Sequence, residues 1–491
     1  MHWMKTLLPL VLVWLIAFPL GAVDIDGDGL QDYQVAAGYR YNSADQASLL
    51  SDVMNIESGD RFPSSILTHS EAAFPLVVDE DNKTFIAAAL VGEGRVLHLG
   101  HEIHLGNALS GSGDTDQLIR NALSWMSNGV TDPIIVIHPD LDILKAFIAD
   151  EGYQAVSGTQ DDLEGADIYA AMTYDELDEG DYETLQTFVA EGGGLITAGL
   201  AWNWAYSNTN VATEYPGNRM LWGSGLTITE DYTNPYSDVV NETAPSHLYH
   251  HGHALDAILD HLKGESPLSF QDQLTAADTS SYAIRRLPLS FSEYYASAQD
   301  IVDLANPVIP TRENPLVVAE MPIEQVIVNI DYRFATDLPA LELSAHPASV
   351  SFPGEVTGAR GTFGVDVLAS YNGRDSNYYA SGAGLDVWRS TGLYVPPGEV
   401  VTVHLSQDLV DKNISLLVGS HSDILWDLER IYRHPSITRS WEVDDTRLEI
   451  GSVFGGLLYV RIPAGVEVGL THLEIEGAVA APRYVHGETT L

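Results

Sequence analysis

The apolar pattern of this 491-residue chain changes period partway along, and that change limits the folds open to it. Between about 56 and 264, compact apolar runs alternate with stretches whose apolar residues recur every three or four positions. The runs at 74–78, 84–91, 95–99, 133–138, 166–172 and 193–199 read as buried strands, and 115–126, 140–151 and 182–191 as the helices between them. Such alternation predicts a parallel sheet covered by helices. From 326 onward the runs shorten and are parted by Gly, Pro and Asp, at 325–330, 364–369, 400–405, 415–419, 448–450, 456–461 and 470–475. That rhythm predicts an antiparallel β-sandwich. The expected fold class is therefore multidomain, α/β plus all-β, with units at 51–128 and 129–270, a connector at 271–325 carrying a helix over 293–304, and the sandwich at 326–491.

Composition removes several functions at once. With no cysteine, disulfides, thiolate metal sites and cysteine nucleophiles are all excluded. A formal charge of -46, from 69 acidic and 23 basic residues, excludes a nucleic-acid binder, which needs a basic face. Residues 1–22 carry Lys5, an apolar run over 7–20 and Gly21-Ala22, the pattern of a secretory signal peptide. That run is too short to cross a bilayer, and no later segment is apolar enough, so a secreted or periplasmic protein without a stable membrane span is expected. The 23–50 segment opens with Asp24, Asp26, Asp28 and Asp32 around Gly29, while the Leu30 carbonyl can supply a further oxygen. This spacing suits calcium, although Val35 stands where an EF-hand places its bidentate Glu.

Five C-terminal stretches occur in a telling order: Trp388 to Glu399 (WRSTGLYVPPGE), Val418 to Trp426 (VGSHSDILW), Ile437 to Ser440, Phe454 to Tyr459 (FGGLLY), and Ala481 to Thr490 (APRYVHGETT). Together they resemble the region just ahead of the catalytic domain in M60-like, enhancin-type zinc metallopeptidases. The middle of the chain, with Gly199 to Trp204 (GLAWNW) and Tyr215 to Arg219 (YPGNR), resembles the class I glutamine amidotransferase-like domain that precedes such peptidase domains. Amidotransferase chemistry needs a cysteine at the strand-to-helix turn and finds Ala201-Trp202 there. The resemblance implies an accessory region, with zinc confined to a catalytic domain beyond Leu491.

The residues themselves carry no zinc-protease centre. That chemistry needs His-Glu-x-x-His on one helical face, and His101-Glu-Ile-His104 has the wrong spacing. His247, His250, His251 and His253 form the richest histidine cluster; they suit either a transition metal or the entry of a helix, where histidines cap and face solvent. Trp202 and Trp204, and the group His421, Asp423 and Trp426, suit sugar contact, each equally readable as core or as a loop-ordering network. The expected function is a non-catalytic portion that positions mucin-type or other O-glycosylated proteins for a secreted M60-like metallopeptidase. A free-standing glycan-binding module or adhesin is the alternative. Glycoprotein or mucin-type glycan is the expected partner.

Overall fold

The computed structural model describes residues 43–482 apart from 112, 235–238, 241–244, 355 and 374–385. The leader, the whole calcium loop from Asp24 to Asp32 and nearly all of the last motif lie outside the described residues. Within them, the fold is an α/β unit, then a group of helices, then an all-β domain. The chain divides into two compact units, 43–66 with 71–244, and 67–70 with 245–482.

The first unit is built on one seven-stranded sheet. Its strands are β1 (Ala73–Val78), β2 (Thr84–Val91), β3 (Gly94–Leu99), β4 (Ile134–Ile137), β5 (Gln154–Ser157), β6 (Ile168–Met172) and β7 (Gly194–Ala198). They lie in the order β1-β2-β3-β7-β6-β4-β5, antiparallel from β1 to β3 and parallel from β3 onward. Successive residues of β2 enter different cores: Ile86 and Ala88 face one cluster, Ala87 and Ala89 the other. Because both faces are covered, the inner strands β2, β4, β6 and β7 are almost continuously apolar. Helix α1 (Thr115–Met126) puts Leu118, Ile119, Ala122 and Leu123 into the first cluster. Each fully buried Leu or Ile here contributes about 1.5–3 kcal/mol, more than helix propensity can supply. The expected boundary at 128 is corrected: β3 pairs directly with β7, so 51–128 and the following strands share one sheet.

The second unit begins with four helices, α2 (His251–Lys263), α3 (Phe270–Ile284), α4 (Ser292–Leu304) and α5 (Pro322–Thr336), packed around one apolar cluster. The expected connector is thus part of a helical assembly, and the strand expected at 325–330 is the interior of α5. Four of those six residues are Val or Ile, and α5 is covered on two sides so that even Gln325 and Asn329 are buried. Ile323, Val326, Ile327 and Ile330 face the helices, while Val328 meets Leu316 and Ile431. Pro322 starts α5 at a position that tolerates the missing N–H.

The remaining strands are β8 (Arg360–Ser370), β9 (Val387–Val395), β10 (Val400–His404), β11 (Ser415–Val418), β12 (Arg439–Glu442), β13 (Arg447–Gly451), β14 (Gly456–Ile462) and β15 (Glu467–Ala480). They form one antiparallel eight-stranded sheet, β12-β11-β14-β9-β15-β10-β13, with β8 also on β15. The β-sandwich expected for 326–491 is therefore a single sheet folded around one core. Burial alternates strictly along β14, as expected for a sheet with one covered face. The motif glycines serve close turns. Gly398, between β9 and β10, has φ +69 and an added Cβ would collide with the Ala345 backbone; a Cβ on Gly456 would fall 2.6 Å from Gly419 Cα.

Candidate functional site

Four parallel strands of the first unit end side by side: Leu99, Ala198 and Met172 are in register, as are Ile137 and Ala170. Residues just past these ends therefore share one edge. The connection after β4 leads to β5 and that after β6 leads the opposite way to β7, so the strand order reverses between β4 and β6. Open α/β sheets bind ligands at such an edge.

His138 follows β4 with Nε2 3.4 Å from Asp175 beyond β6 and Nδ1 3.7 Å from Asp140. Next along the edge, the Tyr174 hydroxyl donates to Glu102 at 2.7 Å. Burial, and then the carboxylate it faces, push the Tyr174 phenol well above its ordinary range. Beneath lie Thr173 and Tyr215, joined at 2.7 Å, and a Cβ on Gly199 would strike Thr173 Oγ1, so the chain can leave β7 this closely only at glycine. His101 and His104 are structural here. His101 Nδ1 accepts the Ile103 N–H at 3.1 Å, and His104 lies buried against Ser58 at 3.2 Å, its pKa pushed down to about 3 mainly by burial.

Just past β7 the chain enters the short helix Ala201–Trp204. The Trp202 indole N–H donates to the Phe62 carbonyl at 2.8 Å, and its ring meets Tyr206 at 5.8 Å and Tyr232 at 6.4 Å. Phe62 closes the group against Tyr232 at 5.2 Å. Trp204 goes the other way, packing on buried Tyr215 at 5.7 Å. The two tryptophans expected as a pair are thus divided, one beside an exposed aromatic group and one against the core.

The trio His421, Asp423 and Trp426 sits in the loop after β11, each member engaged by a different neighbour. His421 packs on Phe352 at 4.8 Å and Asp423 pairs with Arg433 at 2.7 Å. Trp426 lies 5.5 Å from Tyr332 and beneath the Arg285 guanidinium at 5.9 Å, against the Leu316, Val328 and Ile431 cluster.

The histidine cluster at the start of α2 is spent on backbone. His250 Nδ1 accepts the His253 N–H at 3.0 Å while Nε2 meets the Ser70 carbonyl at 3.0 Å, which uses both ring nitrogens. His251 Nδ1 accepts the Thr68 N–H at 3.0 Å. Among the described residues, His247, His250, His251 and His253 do not gather three ligand atoms. Two groups absent from the sequence reading do so, Asp331, His346 and His434, and His404, Glu474 and Glu476. In the first, His346 Nδ1 accepts the Ala348 N–H at 3.1 Å, so Nε2 carries the proton and gives it to Asp331 at 2.7 Å. That tautomer closes the pair to a cation. In the second, His404 lies directly across from Glu474, with Glu476 on the same face.

Two domain families match this chain. Residues 32–242 match a family described as "TRPM8, N-terminal domain", and residues 379–471 match the N-terminal domain of M60-like peptidases. Among relatives, TRPM8 channel-associated factor 2 of Bos taurus is 29% identical over 456 residues, covering 91% of this chain and 47% of that protein. TRPM8 channel-associated factor 1 of Homo sapiens is 28% identical over 470 residues, again 91% and 47%. The chain thus spans about half the length of the curated relatives it matches. The IMPa metallopeptidase from Pseudomonas aeruginosa aligns at 14% identity and a TM-score of 0.47, over 89% of this chain and 52% of that one.

Proposed function

We propose that this chain is the substrate-positioning portion of a secreted M60-like metallopeptidase system, holding mucin-type or other O-glycosylated proteins without cutting them. The observation that carries the reading is the M60-like N-terminal match over 379–471, on the sheet that contains β9 to β14, in a chain with no His-Glu-x-x-His. The residues do not fit a hydrolytic zinc, since His101 is the only histidine followed by glutamate and its partner His104 is one position too close. What the residues offer is recognition: an edge with Glu102 and Tyr174 beside an aromatic group. Export by the leader and calcium bound at Asp24, Asp26, Asp28, Leu30 and Asp32 belong to the same proposal.

The test is retention of the whole chain on mucin resin before and after enzymatic removal of O-glycans. Retention that depends on the glycans, with no cleavage of the eluted mucin, supports the reading. Equal retention on bare and glycosylated protein, or cleavage that a zinc chelator stops, ends it.

The relatives named TRPM8 channel-associated factors, which match over 91% of the chain, favour a second reading in which it contributes to association with a membrane channel. Among the described residues no helix is long and apolar enough to cross a membrane. Co-precipitation with the channel from detergent, unaffected by deglycosylation, would favour this reading over the first.

A further inference from the structure

Phe62, Trp202, Tyr206 and Tyr232 come from three separate segments and meet on the surface of the first unit. Phe62, Tyr232 and Tyr206 are 38%, 48% and 78% exposed. Aromatic rings are costly to leave in water, and a contiguous exposed group of them marks a contact surface. The rings are set edge to face, at 80° between Phe62 and Tyr232 and 86° between Trp202 and Tyr206, so they form walls at near right angles. Trp202 is pinned by its bond to the Phe62 carbonyl, which fixes the plane of the ring before any ligand arrives. The group also stands at the carboxyl edge of the parallel strands, four residues past the end of β7.

We infer that this aromatic corner is the stacking site for a neutral pyranose, the sugar unit through which the chain holds a glycoprotein; the inference rests on the positioning reading above. The C–H face of a pyranose packs on aromatic rings, and its hydroxyls need hydrogen-bonding groups at the rim. Those groups are present. Two residues before Trp202, Leu200 hydrogen-bonds Tyr174, which holds Glu102. On the other flank Lys83 donates to the Tyr232 carbonyl at 3.2 Å and pairs with Asp231 at 3.0 Å. With Lys83 neutralised in that pair and 69 acidic residues against 23 basic in the chain, the field opposes a sialic acid or sulfated sugar. A neutral ring fits this combination; a phosphate or carboxylate does not.

The experiment titrates the full chain with methyl β-galactoside, with sialic acid and with an O-glycopeptide and its deglycosylated form, by saturation-transfer NMR and calorimetry. Trp202→Ala and Tyr206→Ala each lower galactoside affinity about three- to tenfold, the size of one aromatic contact, while Trp202→Phe keeps most of it. Tyr206 is the variant that guards against misfolding, since its side chain is mostly in solvent. Unchanged affinity in both alanine variants, preference for sialic acid, equal binding of the deglycosylated peptide, or a dimer that Tyr206→Ala abolishes without any sugar binding would each overturn the site. If the O-glycopeptide binds wild type and variants alike, the corner is refuted and the positioning role stands. If galactoside binds through the corner but the glycopeptide does not bind, the positioning role falls instead.

Discussion

Trp202 and Trp426 look alike in sequence, each beside polar residues just after a strand, yet the fold uses them differently. Trp202 follows β7 at the carboxyl edge and its neighbours Tyr206 and Tyr232 face water. Trp426 lies in a loop that folds back onto α5, between Tyr332 and Arg285, where helices and sheet of the second unit meet. The difference comes from what covers the ring. Among the described residues Tyr206 stays 78% exposed in the first unit, whereas in the second Trp426 packs against the cluster of Leu316, Val328 and Ile431. One region leaves its rings open to water; the other packs its ring into a joint.

The largest test of that contrast is acid stability. Near Trp426, burial first and then the neighbouring His346 hold His434 down to about 3. An unfolded histidine titrates near ~6.5, so between these values the unfolded chain takes up a proton that the folded chain refuses. Stability is therefore complete above about pH 6.5 and falls as pH drops toward 3, by about 1.4 kcal/mol per pH unit for this histidine. His434→Phe should flatten the acid limb of unfolding reported by hydrogen exchange over α5, a difference of about 3 kcal/mol by pH 4. An unchanged slope would mean that His434 is solvated and the joint is loose.

Next in size is Trp426→Ala, expected to cost about 3 kcal/mol, the low end for removing an aromatic side chain because the ring is only partly buried. Urea unfolding measures it, and any loss of mucin retention should follow the unfolded fraction. Retention lost in a fully folded variant would make Trp426 a contact residue and erase the contrast. Asp331→Ala removes the acceptor of the buried His346 Nε2–H and should cost about 2 kcal/mol in the same assay; no change would show that water already serves that group.

How much of this could be read beforehand differs element by element. The helix Thr115–Met126 was legible because one face is buried and the other wet, leaving the 3.6-residue period intact. Residues 325–330 were not, since α5 is wrapped on two sides and its β-branched run imitates a strand. Sheet membership was also hidden: only the pairing of β3 with β7, a contact about a hundred positions long, shows that 51–128 is not a separate unit. For the site, Trp202 was visible as a residue type, but Phe62, Tyr206 and Tyr232 carry no local signal and become a group only when three segments converge. The histidines of α2 left two readings open because their spacing is shared by metal ligands and by caps; the Ser70 and Thr68 partners that distinguish the two lie some 180 positions upstream.

The smallest effects are expected on the Trp202 side, and their smallness is the point. Trp202 is half-buried like Trp426 but packs on exposed rings and not on a buried apolar cluster, so Trp202→Ala, which also gives up the hydrogen bond to Phe62, should cost about 1–2 kcal/mol. Tyr206→Ala should stay within about 0.5 kcal/mol, because a side chain 78% exposed has little burial to lose. A folding core cannot lose a ring this cheaply, and a binding surface must be able to. Suppose Tyr206→Ala instead lowered the urea midpoint as far as Trp426→Ala does. The ring would then be holding the first unit together, the two tryptophans would sit in equivalent surroundings, and the exposed aromatic corner would have to be read as a second joint.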